Sequence, residues 1–265
     1  MANKDVERVV DNLRLMDDDL MSKVFDEEDN KCIQLTLSVI LEDKGLKVID
    51  SQTQKERKAI SGHSVKFDVH AISSKGEEFD VEIQRSDKGA DRKRARYNSA
   101  LLDSGMLPKG DDYSKLNPSY VIFITENDIL KAGKPLYHID RTIKELDNVD
   151  FNDDSHIIYV NGQYEGSDEI GKLMHDFRCK YAADLNFDIL SKRVKHFKEE
   201  GGRDSMCKAV EDYGKMVAEK EKENTNKETI SALLNKGMTP EWIHDTLEFP
   251  MELIIQIQNS LKISK

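Results

Sequence analysis

Apolar residues recur at helical spacing at Val6, Val9, Val10 and Leu13, and again at Ile33, Leu37, Ile40 and Leu41, which predicts two amphipathic helices at the start of the chain. The acidic stretch Asp26-Glu27-Glu28-Asp29 suits the beginning of the second helix, where the macrodipole favours negative charge. Leu46 to Ile49 has a short strand-like character. At residue 65 the period changes to two. Val65-Lys66-Phe67-Asp68-Val69-His70-Ala71-Ile72 alternates apolar and polar, Ser73-Ser74-Lys75-Gly76 interrupts, and Phe79-Asp80-Val81-Glu82-Ile83-Gln84 alternates again, the pattern of a β-hairpin. A three-residue loop of Ser74, Lys75 and Gly76 fits the common turn whose third residue is left-handed, a position glycine takes at least cost. Facing residue numbers then sum to 150. Phe67 meets Ile83, Val69 meets Val81 and Ala71 meets Phe79 on an apolar face; Lys66 meets Gln84, Asp68 meets Glu82 and His70 meets Asp80 on the other.

Residues 87–103 turn helical, with Tyr97, Ala100 and Leu101 on one side. Pro118 introduces a strand at Tyr120-Val121-Ile122-Phe123-Ile124, and a second one, His156-Ile157-Ile158-Tyr159-Val160, ends at the turn pair Asn161-Gly162. Helical patterns follow over about 169–183 and 190–199 before Gly201-Gly202 breaks the chain. Met206, Val210, Tyr213 and Val217 mark a further helix that dissolves into the polar run 219–226, read as a boundary or an exposed helix end. In the last forty residues Ile230, Leu233 and Leu234 lead to Gly237, Thr239 caps a helix begun by Pro240, and Pro250 starts a third helix. These elements predict an α/β fold with a mixed central sheet flanked by helices and an all-helical C-terminal appendage. The expected division is a domain over 1–200, a helical connector over 201–226 and a small helical unit over 227–265.

A length of 265 residues suits one sizeable core with an appendage. Hydrophobic residues make up 38% and charged residues 34%, so that core is modest and its surface heavily charged. No run approaches the roughly 18 apolar residues of a membrane span, and the polar opening Met1-Ala2-Asn3-Lys4-Asp5 lacks the apolar stretch of a secretory signal. The expected compartment is the cytoplasm. Cys32, Cys179 and Cys207 are odd in number and far apart, which fits buried, reduced thiols rather than a disulfide framework or a zinc knuckle. A net charge of −11 argues at first against a nucleic-acid partner. The charge is unevenly placed, however: residues 85–96 carry six basic side chains against two acidic ones, with Arg85, Lys88, Arg92 and Arg96 at spacings of three and four.

Asp68 and Glu82, facing each other across a hairpin, repel. A divalent cation between them turns that repulsion into a site, because hard cations such as Mg²⁺ take carboxylate oxygens, retain waters, and ready one of those waters to attack a phosphate diester. Gln84 lies beside Glu82 on the same face. A solvated face is the alternative reading of the same alternation. The basic residues directly after this strand place phosphate contacts where a DNA backbone would lie over the metal, or else form a solvated helix face.

Asp68, a hairpin and Glu82-x-Gln84 followed by a basic helix resemble the PD-(D/E)XK nuclease superfamily, in particular its recombination-promoting, transposase-associated branch, in which Gln often replaces the final Lys. Further segments match in order: Asp19-Leu20-Met21-Ser22-Lys23-Val24-Phe25, Arg96-Tyr97, Gly110-Asp111-Asp112-Tyr113-Ser114-Lys115-Leu116-Asn117-Pro118, and Ile157-Ile158-Tyr159-Val160-Asn161-Gly162. The resemblance covers roughly residues 15–200. It implies a restriction-endonuclease-like core, Asp68 and Glu82 as ligands of Mg²⁺ (or Mn²⁺), Gln84 as the residue that positions the attacking water, and Asp19 as a further ligand. Phe67 stands where the family pattern has Pro, and Ser22 where it usually has an aromatic. A neutral amide cannot carry the charge that Lys offers a developing anion, and Lys66, opposite Gln84 in the register, is the candidate to restore it. The implied function is a DNA endonuclease linked to recombination or mobile elements, with DNA bound by Arg85, Lys88, Arg92 and Arg96. The alternative is a catalytically silent protein that keeps the fold to bind a protein or nucleic acid. His70 shares the polar face with Asp68, and the other histidines have no ligand spacing. Residues 225–265 carry four basic against five acidic side chains, which favours packing or homo-oligomer formation through these helices over DNA reading.

Overall fold

The computed structural model, which describes residues 4–58 and 63–263, forms the hairpin in the register that the alternation predicts. The first three residues of the polar opening lie outside the described part. In chain order come α1 (Lys4–Asn12), α2 (Asp18–Phe25), α3 (Lys31–Ile40), β1 (Val48–Arg57), β2 (Val65–Ser73), β3 (Glu78–Gln84), α4 (Arg92–Met106), β4 (Ser119–Thr125), β5 (Leu136–Ile139), β6 (Thr142–Ile143), β7 (Val149–Asp150), β8 (Ser155–Asn161), α5 (Glu169–Arg178), α6 (Asp188–Glu199), α7 (Arg203–Asn235), α8 (Pro240–Leu247) and α9 (Met251–Ile263). Val69 pairs with Val81, His70 with Asp80 and Ala71 with Phe79. Gly76 holds φ +84° at the third loop position, and its N–H donates to the Ser73 carbonyl at 3.0 Å. The turn chemistry therefore sets the register.

Six strands form one sheet in the order β1-β2-β3-β4-β8-β5. β1, β2 and β3 are antiparallel, β3, β4 and β8 run parallel, and β5 returns antiparallel on the far edge. The parallel strands are buried on both faces, which is why β4 reads as an unbroken apolar run. α4 covers one face, where Ala95 and Leu102 pack with Val121, Phe123, Tyr159 and Phe67. On the other side of the core, α2, α3, α5 and α6 pack on one another, and α2 and α3 also meet β1. Leu20, Met21, Phe25, Ile33, Leu37 and Phe177 are fully buried there.

Several elements depart from the sequence pattern. β1 runs to Arg57, well beyond Leu46–Ile49, because an edge strand tolerates the polar sequence Ser51-Gln52-Thr53-Gln54-Lys55. α4 buries Ala95, Asn98, Ser99 and Leu102, whereas Tyr97 and Ala100 are exposed. Its inner face is half polar and so carries little apolar signal. Phe67 packs on the α4 side rather than with Ile83. The alternation of β2 is interrupted at Asp68, which moves every residue before it to the opposite face.

The chain divides into two units, residues 1–207 and 208–265. The polar run 219–226 lies inside α7, which continues unbroken to Asn235. In the second unit Ile230, Ile243 and Ile254 form a small core, Thr239 Oγ1 accepts from the Trp242 N–H at 3.2 Å to cap α8, and Pro250 precedes α9. Cys32, Cys179 and Cys207 form no disulfide with one another, and the first and last of them are buried. Among the described residues no helix is long and apolar enough to cross a membrane.

Candidate active site

Beyond the Val69–Val81 pair the two strands of the hairpin part. Asp68 is skipped by the ladders on both sides, and Gln54, the β1 residue across from it, adopts φ +56°. The Asp68 side chain fills the gap, its Oδ2 accepting the Ile83 N–H at 2.9 Å. This one bond brings the Asp68 carboxylate against the strand that carries Glu82. Glu82 itself is fully buried on the α4 side, with Asp80 two residues before it on the same face. Asp80 Oδ2 accepts from Asn98 Nδ2 at 2.9 Å, while its Oδ1 and Glu82 Oε1 are buried oxygens with no donor among the described residues but the carboxyl–carboxylate hydrogen bond between Asp80 and Glu82.

Charge is concentrated here at a cost. Burial raises the Asp68 pKa to about 6, helped by the Asp18 charge and opposed by the Ile83 N–H and Arg94. Burial likewise raises Glu82 to about 7, with the Asp68 charge adding to the effect and Arg94 opposing it. Asp80 is pushed well above the usual carboxylate range by burial and by Glu82. Arg94, in the first turn of α4, is ion-paired with Glu82 Oε2, and its Nη1 donates to Gln84 Oε1 at 3.3 Å and to the Gly89 carbonyl at 2.9 Å. Gln84 Nε2 in turn donates to Glu82 Oε2 at 3.3 Å. The turn at 87–91 that sets Arg94 in place is itself held: Tyr159 Oη donates to the Ala90 carbonyl at 3.0 Å, and Asp91 caps α4 through the Lys93 N–H at 2.8 Å.

Asp68, Glu82 and Gln84 are thus neighbours, as the hairpin predicts. Lys66 is exposed and pairs with Glu56 of β1 instead of Gln84, although its charge is felt at Asp68. In α2 the carboxylate that acts on Asp68 is Asp18; Asp19 is raised by burial and by Asp18 and Asp17. Arg85 bonds Asp17 at 2.7 Å and Glu126 at 3.4 Å, so it braces α2 against the end of β4. Lys88, Arg92 and Arg96 are exposed around the start of α4. His70 is fully buried and serves another cluster, 2.7 Å from Glu78 and 3.0 Å from Lys55. Arg94 is the residue that sequence reasoning left in the basic stripe without a role. The signal that finds it is its position three residues after the α4 cap, facing back onto β3.

Among the described residues no group of three or more His, Cys, Asp or Glu comes together as a metal-holding set. Two carboxylates nevertheless fit a hard divalent cation of the Mg²⁺ kind, which binds through one or two carboxylates and fills its remaining positions with water and substrate phosphate. The mutual repulsion of Asp68 and Glu82, and a buried Glu82 Oε1 that among the described residues meets no donor other than the Asp80 carboxyl, are the observations that fit. The larger cavities lie elsewhere: one of about 600 Å³ between α3, β5 and α5, and one of about 680 Å³ beside α1 that reaches only Arg85.

Two expected outcomes follow from this geometry. Both carboxylates have folded pKa values above their ordinary 3.8 and 4.5, so the folded state holds protons more tightly than the unfolded one. Their contribution to stability is complete below those ordinary values and is lost as pH rises through about 6 and 7. In chelator, the stability of the native chain relative to Asp68→Asn falls between pH 5 and pH 8 in denaturant titrations; a difference that grows with pH contradicts the assignment. Gly89 tests the placement of Gln84. A Cβ there lies 1.9 Å from Gln84 Oε1, so Gly89→Ala displaces the amide while the turn survives. Cleavage is expected to fall up to about 10²-fold, as a misplacement near 1 Å can cause, with the unfolding midpoint little changed; unchanged cleavage would show that Gln84 has no positioning task.

A mixed sheet whose hairpin strand delivers clustered carboxylates and an amide beside a basic helix is the restriction-endonuclease-like type of α/β nuclease fold. Residues 16–163 match the PD-(D/E)XK nuclease family transposase. The chain belongs to that family, whose members are typically metal-dependent, and the matched span contains every residue of the site just described. Neither the curated proteins nor the solved structures include a match to the chain.

Proposed function

We propose that the protein is a metal-dependent DNA endonuclease that hydrolyses phosphodiester bonds in recombination or mobile-element processes. The observation that supports this reading best is the carboxylate pair of half-buried Asp68 and fully buried Glu82, brought together at the end of the hairpin by the bond from the Ile83 N–H to Asp68 Oδ2. Asp68 and Glu82 are the residues to hold the cation, which when bound supplies a water of lowered pKa and neutralises charge on the phosphate. Gln84, half-buried at the mouth of the site, offers an amide that both donates to and accepts from a water. Lys88, Arg92 and Arg96 present a positive rim for the DNA backbone, whose contacts position the strand without reading its sequence.

The test is conversion of supercoiled plasmid to nicked or linear forms by the full chain with Mg²⁺, Mn²⁺ or chelator. Conversion with metal and none with chelator supports the reading. The catalytically silent alternative has one observation in its favour, Gln84 where the family pattern ends in Lys, and absence of conversion with either metal would establish it.

A further inference from the structure

Of the six basic residues in 85–96, Arg94 is the one that bonds Glu82. Its guanidinium spans Glu82 Oε2, Gln84 Oε1 and the Gly89 carbonyl, which fix its plane, and its Cζ lies 5.8 Å from the centroid of the buried Phe123 ring, within cation–π range. Its side chain keeps 36% exposure, enough to open onto solvent at the mouth of the site. No other cation is bonded to Glu82 among the described residues, and the charge of exposed Lys66 acts on Asp68 and Asp18. Three hydrogen bonds and one aromatic contact therefore converge on one side chain that reaches from the first turn of α4 to both functional residues of β3.

Building on the nuclease reading, we propose that Arg94 is a positioning residue of this site: its guanidinium clamps Glu82 and Gln84 and is the fixed positive charge that the glutamine cannot provide. Two consequences oppose each other. A fixed cation bonded to Glu82 repels a second cation bound at Asp68 and Glu82, so it weakens metal binding. The same clamp holds the Glu82 carboxylate and the Gln84 amide in one orientation, so it raises turnover once metal is present. A residue that merely held the local fold together would support both properties or neither.

The experiment titrates Mn²⁺ into the DNA-free full chain by calorimetry, for the native protein, Arg94→Gln and Arg94→Lys, and pairs it with plasmid cleavage at saturating Mn²⁺. Arg94→Gln is expected to bind Mn²⁺ about tenfold more tightly, since a unit charge a few ångströms away is removed, while kcat falls by about 10²-fold with little change in KM. Arg94→Lys, which keeps the charge without the fork, is expected to match the native metal affinity and to recover only part of the turnover. Loss of both metal affinity and turnover in Arg94→Gln, or change in neither, overturns the assignment, as does tighter metal binding with unchanged kcat. If the native protein binds no Mn²⁺, or cleaves equally well after Asp68→Ala and Glu82→Ala, the nuclease reading fails and takes this proposal with it. If those controls behave and only Arg94→Gln fails to respond, the nuclease reading stands and Arg94 alone is misassigned.

Discussion

Glu82→Gln is expected to reduce plasmid cleavage by about three orders of magnitude, as loss of a charge-bearing group aimed at the reacting centre does, and yet to stabilise the metal-free protein at pH 8. Glu82 is fully buried, and burial together with Asp68 lifts its pKa from 4.5 to about 7. At pH 8 the folded chain must therefore hold a charge it disfavours. At roughly 1.4 kcal/mol per pKa unit the strain is at most about 3 kcal/mol. Arg94 loses its ion-pair partner in the variant, so a net gain of about 1–2 kcal/mol is expected. The introduced amide can keep a bond to the Asp80 carboxyl, which already hydrogen-bonds Glu82. Unfolding in chelator at pH 8 and at pH 5 separates the two effects, the gain being present at the higher pH and absent at the lower. A variant less stable than the native chain at pH 8 would mean that Arg94 compensates Glu82 fully.

Lys198→Met is expected to be the most destabilising single change outside the site. Lys198 lies buried in α6, and its ammonium donates to the backbone carbonyls of Asp11 at 2.8 Å, Leu13 at 2.9 Å and Lys180. It thereby ties the end of α1 and the segment after α5 to one point on α6. Arg203 reinforces the same junction through the Lys198 carbonyl and Asp11 Oδ1. Burial lowers the Lys198 pKa, with Asp11 opposing the shift, and no carboxylate bonds the ammonium directly. Methionine matches its length and leaves three carbonyls without a donor, at a cost of about 2–4 kcal/mol. For a unit of this size that lowers the thermal midpoint by roughly 5–15 °C. A shift below about 2 °C would show that water replaces the ammonium without penalty.

The parts of the fold legible in the sequence are those fixed by local chemistry. The hairpin register came from strict alternation and one glycine at the left-handed position, and the structure reproduces it at Val69–Val81 and Ala71–Phe79. The cap at Thr239 and the helix start at Pro240 are of the same local kind. What the sequence concealed was tertiary in origin. Phe67 changes face because Asp68 leaves the ladder to accept the Ile83 N–H, a choice made by the strand next door. The inner face of α4 holds Asn98, which bonds Asp80, and Ser99, which bonds Ser155, so a search for apolar periodicity selects the wrong side. Arg94 looked like its five basic neighbours, and only the fold shows that it alone bonds Glu82. That the Asp18 charge acts on Asp68 depends on how α2 meets the start of β2, which one turn of sequence cannot reveal.

Side-by-side cleavage of supercoiled plasmid by the native chain, Asp68→Ala and Glu82→Ala at saturating Mn²⁺ tests the central claim most directly. The native protein is expected to nick or linearise the plasmid, and each variant is expected to leave it supercoiled while unfolding as cooperatively as the native chain. Cleavage that survives both substitutions would contradict the assignment of Asp68 and Glu82 as the metal-dependent site.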